Sequence, residues 1–168
     1  NVVTSIEFER ILSASGPYGG LVLRPSNGEI PQRIAFIQCV GSRDYQLGNN
    51  YCSAACCMYG MKEAVIAKEH APIKLQPTIF YMDLRAYGKE FDAYYNRAKG
   101  EWGIRFVRSR VAGVTEDPLT GNLFVHYVEN EMPKTEEFDL VVLSIGMQPP
   151  KNVEKLAETV GVELNKYN

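Results

Sequence analysis

No stretch of this 168-residue sequence approaches the roughly 20 consecutive apolar residues of a membrane helix, and no basic then apolar leader opens it. Neither sign of charge prevails, with 18 basic and 20 acidic residues, so nothing draws the chain generally toward nucleic acid or anionic lipid. Histidine occurs twice. No Ser, His and Asp arrangement and no carboxylate pair stands out, which leaves hydrolysis without support. Internal repeats and low-complexity tracts are missing, and so is the G-x-G-x-x-G turn of a dinucleotide cradle. These absences lead to the expectation of a soluble, cytoplasmic protein with no nucleic-acid partner and no membrane insertion. The length suits one domain with a real core, residues 1–168. The first residue is Asn1 and the last stretch is "GVELNKYN". Both ends read as those of a piece of something longer, with partners on sequence outside it.

Cysteine is scarce overall but concentrated. All four lie in "IQCVGSRDYQLGNNYCSAACCMYG": Cys39, then Cys52 after twelve intervening residues, then Cys56 and Cys57 after three more. A helix starting near Cys52 behind an Asn49 or Asn50 cap would put Cys52 and Cys56 on one face and turn Cys57 about 100° further round. Cys39 would arrive from the end of a strand. Several chemistries compete for such a set. Buried inert thiols are ordinarily scattered. A disulfide framework needs an oxidising compartment, and a bond between the adjacent Cys56 and Cys57 would be strained. Zinc prefers paired knuckles around one compact tetrahedron. An iron-sulfur cubane offers four separate corners, so neighbouring side chains can diverge to different irons. That last reading is favoured, with zinc or a metal-free docking scaffold as the alternative. Thiolates at a helix N-terminus are expected to be stabilised by its dipole, with Arg43 either adding a cation or facing water. Backbone N–H groups around Gly41, Ser42 and Gly48 are candidate donors to sulfur.

The rest of the sequence supplies a frame. Residues 1–32 read as a helix over 4–13, capped by Thr4 or Ser5, and then a Gly, Pro and Ser-rich linker with at most a short strand at 21–23. The core, 33–146, begins with "RIAFIQCVG", an uninterrupted apolar run that predicts a strand buried on both faces. A helix over 52–69, the strand "PTIFYMDLRA" and a helix ended by Gly100 or Gly103 follow. This alternation predicts an α/β, Rossmann-like parallel sheet. Residues 104–129 then read as an antiparallel β-meander attached to that sheet, and "FDLVVLSIG" as a returning parallel strand before a last short helix. Asp83 stands where an NAD enzyme places its ribose-binding acid, but without the glycine turn it reads as a turn carboxylate, with Arg85 at the surface or paired to it. His70 suits a helix C-terminus, and His126 a solvent-facing strand position. The aromatic residues from Phe80 to Trp102 read as core, or else as a docking patch.

"FIQCVGSRD", "YCSAACCMYGMKEAVIAKEH", "YMDLRAYGKEFDAYYNRA" and "LVVLSIGMQP" resemble the A subunit of heterodisulfide reductase, and the resemblance runs over nearly the whole chain. It implies an oxidoreductase with a thioredoxin-reductase-like flavoprotein core. It further implies that Cys39, Cys52, Cys56 and Cys57 ligate one [4Fe-4S] cluster, relaying electrons to or from FAD in the parent protein. The partners would be the remainder of that flavoprotein, further heterodisulfide reductase-type subunits or ferredoxin-like carriers. Gly146, Met147, Gln148 and Pro149 resemble the turn leading back to the flavin half, begun by residues 147–168, although an ordinary β-turn serves as well. With the cysteine-bearing loop in place of the glycine cradle, NAD(P) binding is expected to be weak or absent, and FAD is not expected to bind this piece tightly alone.

Overall fold

The computed structural model describes residues 1–166. In chain order the elements are β1 (Val2–Thr4), α1 (Ser5–Leu12), β2 (Arg33–Val40), α2 (Cys56–His70), β3 (Gln76–Tyr81), α3 (Phe91–Gly100), β4 (Arg105–Arg108), β5 (Gly113–Glu116), β6 (Leu123–Glu129), β7 (Met132–Phe138), β8 (Leu140–Ile145) and α4 (Val153–Val160). Two sheets form: a parallel one in the order β1-β8-β2-β3-β4, and an antiparallel meander β5-β6-β7.

The middle of β2, from Ile34 to Ile37, is apolar because its two faces meet different layers. Ile34 and Phe36 pack with Phe8 of α1, Met61 of α2 and Leu140 of β8. Ala35 and Ile37 turn the other way and join Phe80, Val125 and Phe138 beneath the meander. The Phe8 and Phe36 rings meet edge to face at 5.5 Å, a favoured aromatic geometry. α1 is anchored at its start by a capping box in which Thr4 and Glu7 satisfy each other's backbone N–H. The Rossmann-like sheet with its attached meander is therefore present as expected.

Several details differ from the sequence reading. Residues 21–23 form no strand; Val22 plugs into the core from an irregular loop. β1 was hidden at the N-terminus, since three residues give too short a pattern to read, and it pairs in parallel with β8. The first strand assigned to the meander, β4, instead joins the parallel sheet beside β3. β7, "MPKTEEF", is mostly exposed, so its lack of alternation concealed the third meander strand. α2 begins at Cys56 rather than Cys52, and its N-cap residue, Ala55, makes no side-chain capping bond. The terminal helix stops at Val160, where Gly161 adopts the left-handed conformation that ends helices. The last two residues of the segment 147–168 lie outside the described residues. Among those described, no helix is long and apolar enough to cross a membrane.

One buried acid stands out on α2. Glu63 is 6% exposed, and its Oε2 has no hydrogen-bond partner among the described residues. Burial first, and Glu9 second, push its carboxyl from an ordinary 4.5 up to about 8. An acid raised on folding holds its proton more tightly in the native state, so stability falls as pH rises from the unfolded value through the folded one and levels off above it. Glu63→Gln should therefore stabilise the protein by on the order of 3 kcal/mol at pH 9 and far less at pH 4. Urea unfolding at the two pH values checks this; an equal effect at both would contradict it.

Candidate functional site

The parallel order places a crevice where chemistry is ordinarily found in such folds. From β2 the chain proceeds to β3 and β4 on one side, while β8 flanks β2 on the other. The gap beyond the C-terminal ends of β2 and β8 is thus a topological switch point. Cys39 comes to it from β2. The pairing of β2 with β8 slips between Ile37 and Val40, which leaves an extra residue in β2, and Cys39 takes φ 63° there. Such a bulge redirects a side chain that regular alternation would place elsewhere. Arg43 and Ala54, in the loop that follows, also have positive φ, 56° and 57°. For residues other than glycine this conformation costs on the order of 1 kcal/mol, and it tends to gather at functional sites.

All four cysteines, with Ser42, Ser53, Ala54, Ala55 and Arg85, line one small pocket, and all four are free thiols. Cys39 and Cys52 are half-buried, Cys56 and Cys57 buried. The adjacent pair diverges: the Cys56 thiol faces the Ile145 carbonyl at 3.8 Å, at the end of β8, and the Cys57 thiol faces the Asp83 carbonyl at 4.0 Å, beyond the end of β3. Among the described residues no three His, Cys, Asp or Glu donors approach closely enough to hold one metal ion. The sulfurs surround a space rather than meet at a point.

Helical spacing does not bring Cys52 to this site, as α2 starts four residues later. Cys52 instead sits in the preceding bend, where its sulfur accepts the Ala54 N–H at 3.4 Å. A second backbone donor to sulfur is Arg85 N–H, at 3.4 Å from Cys57 Sγ. Two of the N–H groups expected in this role are used elsewhere: Ser42 donates to the Cys39 carbonyl and Gly48 to that of Tyr45. Burial pushes the Cys39 and Cys57 thiols up, with neighbouring cysteines adding to the effect; the Arg43 guanidinium opposes it at Cys39 and the Arg85 N–H at Cys57. At Cys57, in the first turn of α2, the expected acidification by the helix start is thus outweighed by desolvation.

The loop between Cys39 and Cys52 closes on itself. Asp44 and Asn49 exchange backbone hydrogen bonds, and Arg43 N–H donates to the Tyr51 carbonyl at 2.9 Å. Its far end is tied to the segment just beyond β8. The Tyr51 hydroxyl donates to the Met147 carbonyl at 2.9 Å, and Met147 N–H donates to Ser53 Oγ, also at 2.9 Å. Gly146 allows this approach: a Cβ there would lie 2.1 Å from Ser42 Oγ and 3.0 Å from Ser53 Oγ. Gly146→Ala is expected to cost about 1–3 kcal/mol, read by thermal unfolding, and adding Ser42→Ala should recover much of that loss. Met147, Gln148 and Pro149 are exposed beyond this knot. Ser42, Ser53 and Tyr51 were not singled out from sequence as parts of a site, because serine and tyrosine side chains in a polar loop carry no distinctive spacing.

The remaining candidates resolve simply. Asp83 is neither free nor alone: it bonds Arg43 and Arg85. His70 Nδ1 lies 3.0 Å from the Gly20 carbonyl, and His126 bridges Thr115 and Thr135 at 2.9 Å each. Neither histidine lines the sulfur pocket. Phe80 is core, Tyr95 packs edge-on against Phe106, and Tyr87 is exposed.

No family model matches the chain. It is 50% identical over 164 residues to a Methanopyrus kandleri protein named as the second A-type iron-sulfur subunit of CoB--CoM heterodisulfide reductase. It is 47% identical over 165 residues to the A subunit of the H(2):CoB-CoM heterodisulfide,ferredoxin reductase of Methanothermobacter thermautotrophicus. To the iron-sulfur A subunit of the Methanocaldococcus jannaschii CoB--CoM heterodisulfide reductase it is 45% identical over 167 residues. These alignments take in 96–98% of the chain but 25% of each relative, so the chain spans about a quarter of their length. Among solved structures, T. acidophilum thioredoxin reductase superposes with a TM-score of 0.50 at 17% identity, over 80% of this chain and 36% of that one. That likeness shows a shared fold.

Proposed function

From its place as a homologue of one quarter of the heterodisulfide reductase A subunit, we propose that the chain is the electron-relay segment of such an oxidoreductase, holding one [4Fe-4S] cluster on Cys39, Cys52, Cys56 and Cys57. The observation that carries this is the pocket shared by all four thiols, with adjacent Cys56 and Cys57 aimed at different strand ends. A single zinc ion would draw its sulfurs to within about 3.8 Å of one another, from bonds of roughly 2.3 Å. A cubane takes each thiolate at its own corner and suits a set that diverges. Such a cluster supplies reversible one-electron storage. The chain's own residues set the surroundings: Ala54 and Arg85 N–H groups donate to sulfur, and Cys56 and Cys57 stand in the first turn of α2, at the positive end of its dipole.

The electrons would pass to or from FAD carried by the remainder of the flavoprotein, and onward to other subunits or ferredoxin-like carriers. Gly146, Met147, Gln148 and Pro149 are the proposed flavin-facing turn, supported by their place beyond β8 next to the sulfur loop. NAD(P) is not a proposed cofactor, since cysteines occupy the cradle loop and two arginines engage Asp83; micromolar NADH or NADPH binding would refute that part. Anaerobic purification with iron and sulfide assays tests the main reading. About four of each per chain, with an EPR signal on reduction, is the expected result. Stoichiometric zinc, or an intact fold that takes up neither metal under reconstitution, would overturn it.

A further inference from the structure

The acid at the end of β3 has lost the setting that would let it bind a ribose. Asp83 Oδ1 bonds Arg43 Nη1, while Arg85 Nη2 reaches Asp83 Oδ2 at 3.2 Å, with Arg85 Nε at 3.3 Å from both oxygens. These three side chains join three parts of the sulfur site. Arg43 belongs to the loop after Cys39 and borders the crevice that Cys39 also lines. Asp83 presents its carbonyl to the Cys57 thiol, and Arg85 gives its backbone N–H to Cys57 Sγ while lining the pocket. All three are only partly exposed, with side chains at 24%, 41% and 32%. Two guanidinium groups and one carboxylate therefore place a net single positive charge against the thiols in a partly dry setting.

We propose that the Arg43–Asp83–Arg85 trio sets the reduction potential of the sulfur site, its residual positive charge favouring the more negative, reduced state of a bound cluster. The inference rests on the cluster reading above. Adding an electron makes the site more anionic, and a nearby fixed cation stabilises that state, whereas a nearby anion opposes it. Because Asp83 offsets one of the two arginines, substitutions in a single trio should act in opposite directions. Arg85 allows a clean separation, since its backbone donor to Cys57 remains when the side chain is changed.

The test is an anaerobic EPR-monitored redox titration of the iron-loaded protein, with iron content measured alongside. Arg43→Gln and Arg85→Gln should each disfavour reduction two- to tenfold, tenfold corresponding to about 59 mV for one electron. Asp83→Asn should favour reduction by a similar factor. Arg43→Lys, which keeps the charge but not the fork, should stay close to wild type. Should the wild-type protein load no iron, the cluster reading fails and takes this inference with it. If iron loads normally and the three neutralising variants share one potential or shift the same way, the inference fails while the cluster reading stands. It fails equally if Arg43→Lys shifts as far as Arg43→Gln, for then charge is not the cause.

Discussion

Alanine at any one of Cys39, Cys52, Cys56 or Cys57 is expected to reduce the EPR-active iron of the anaerobically loaded protein at least tenfold, with the far-ultraviolet circular dichroism unchanged. The expectation follows from two features of the site. Each thiol reaches the pocket from its own backbone position, with Cys39 on the β2 bulge, Cys52 in a bend, and Cys56 and Cys57 aimed apart at the start of α2. Among the described residues, no spare histidine or cysteine lines the pocket to substitute for a missing ligand. The fold does not depend on these side chains in the same way, since the sheet and its two apolar layers are built from other residues. Alanine suits the bulge no worse than cysteine does, because both carry a single Cβ substituent through the strained φ of Cys39. Four variants that all kept wild-type iron would show that the cysteines are packing residues.

The largest stability change is expected at Phe36→Ala, a loss of about 4 kcal/mol. At this chain length that corresponds to roughly 8–16 °C in melting temperature. Phe36 is wholly buried in β2, the central strand of the parallel sheet, and its ring meets Phe8 of α1. Removing it opens a hole where helix and sheet layers meet, and the surrounding strands are too constrained to collapse into it. Calorimetry on the metal-free protein measures this; a shift below about 3 °C would mean that the core repacks freely.

The legible parts of the fold were those whose residues answer to burial. β2, β3 and β8 are mostly apolar because both their faces are covered, and that left a clear signal in "RIAFIQ", "PTIF" and "LVVLSI". β1 and β7 were not legible, the first for being three residues long and the second because its side chains mostly face outward. At the site, the cysteine spacing was enough to draw attention to all four residues. It was misleading about how they meet. The intervals suggested one helix carrying three of them, whereas a bulge, a bend and a helix start each contribute separately. Nothing local to "DLR" announced that Asp83 would be taken up by Arg43, forty residues earlier in the chain. Contacts of that kind depend on which strand ends the topology brings side by side.

The self-closed hairpin between Cys39 and Cys52 has an implication for how such chains vary. Asp44 and Asn49 close its neck, and the tip from Tyr45 to Gly48 is exposed outside the buried core. Extra residues inserted there would raise the closure entropy only slightly, as that cost grows with the logarithm of loop length. The first interval of the cysteine signature is accordingly free to drift among descendants. The Cys52 to Cys57 interval, a short bend that leads straight into the first turn of α2, is not.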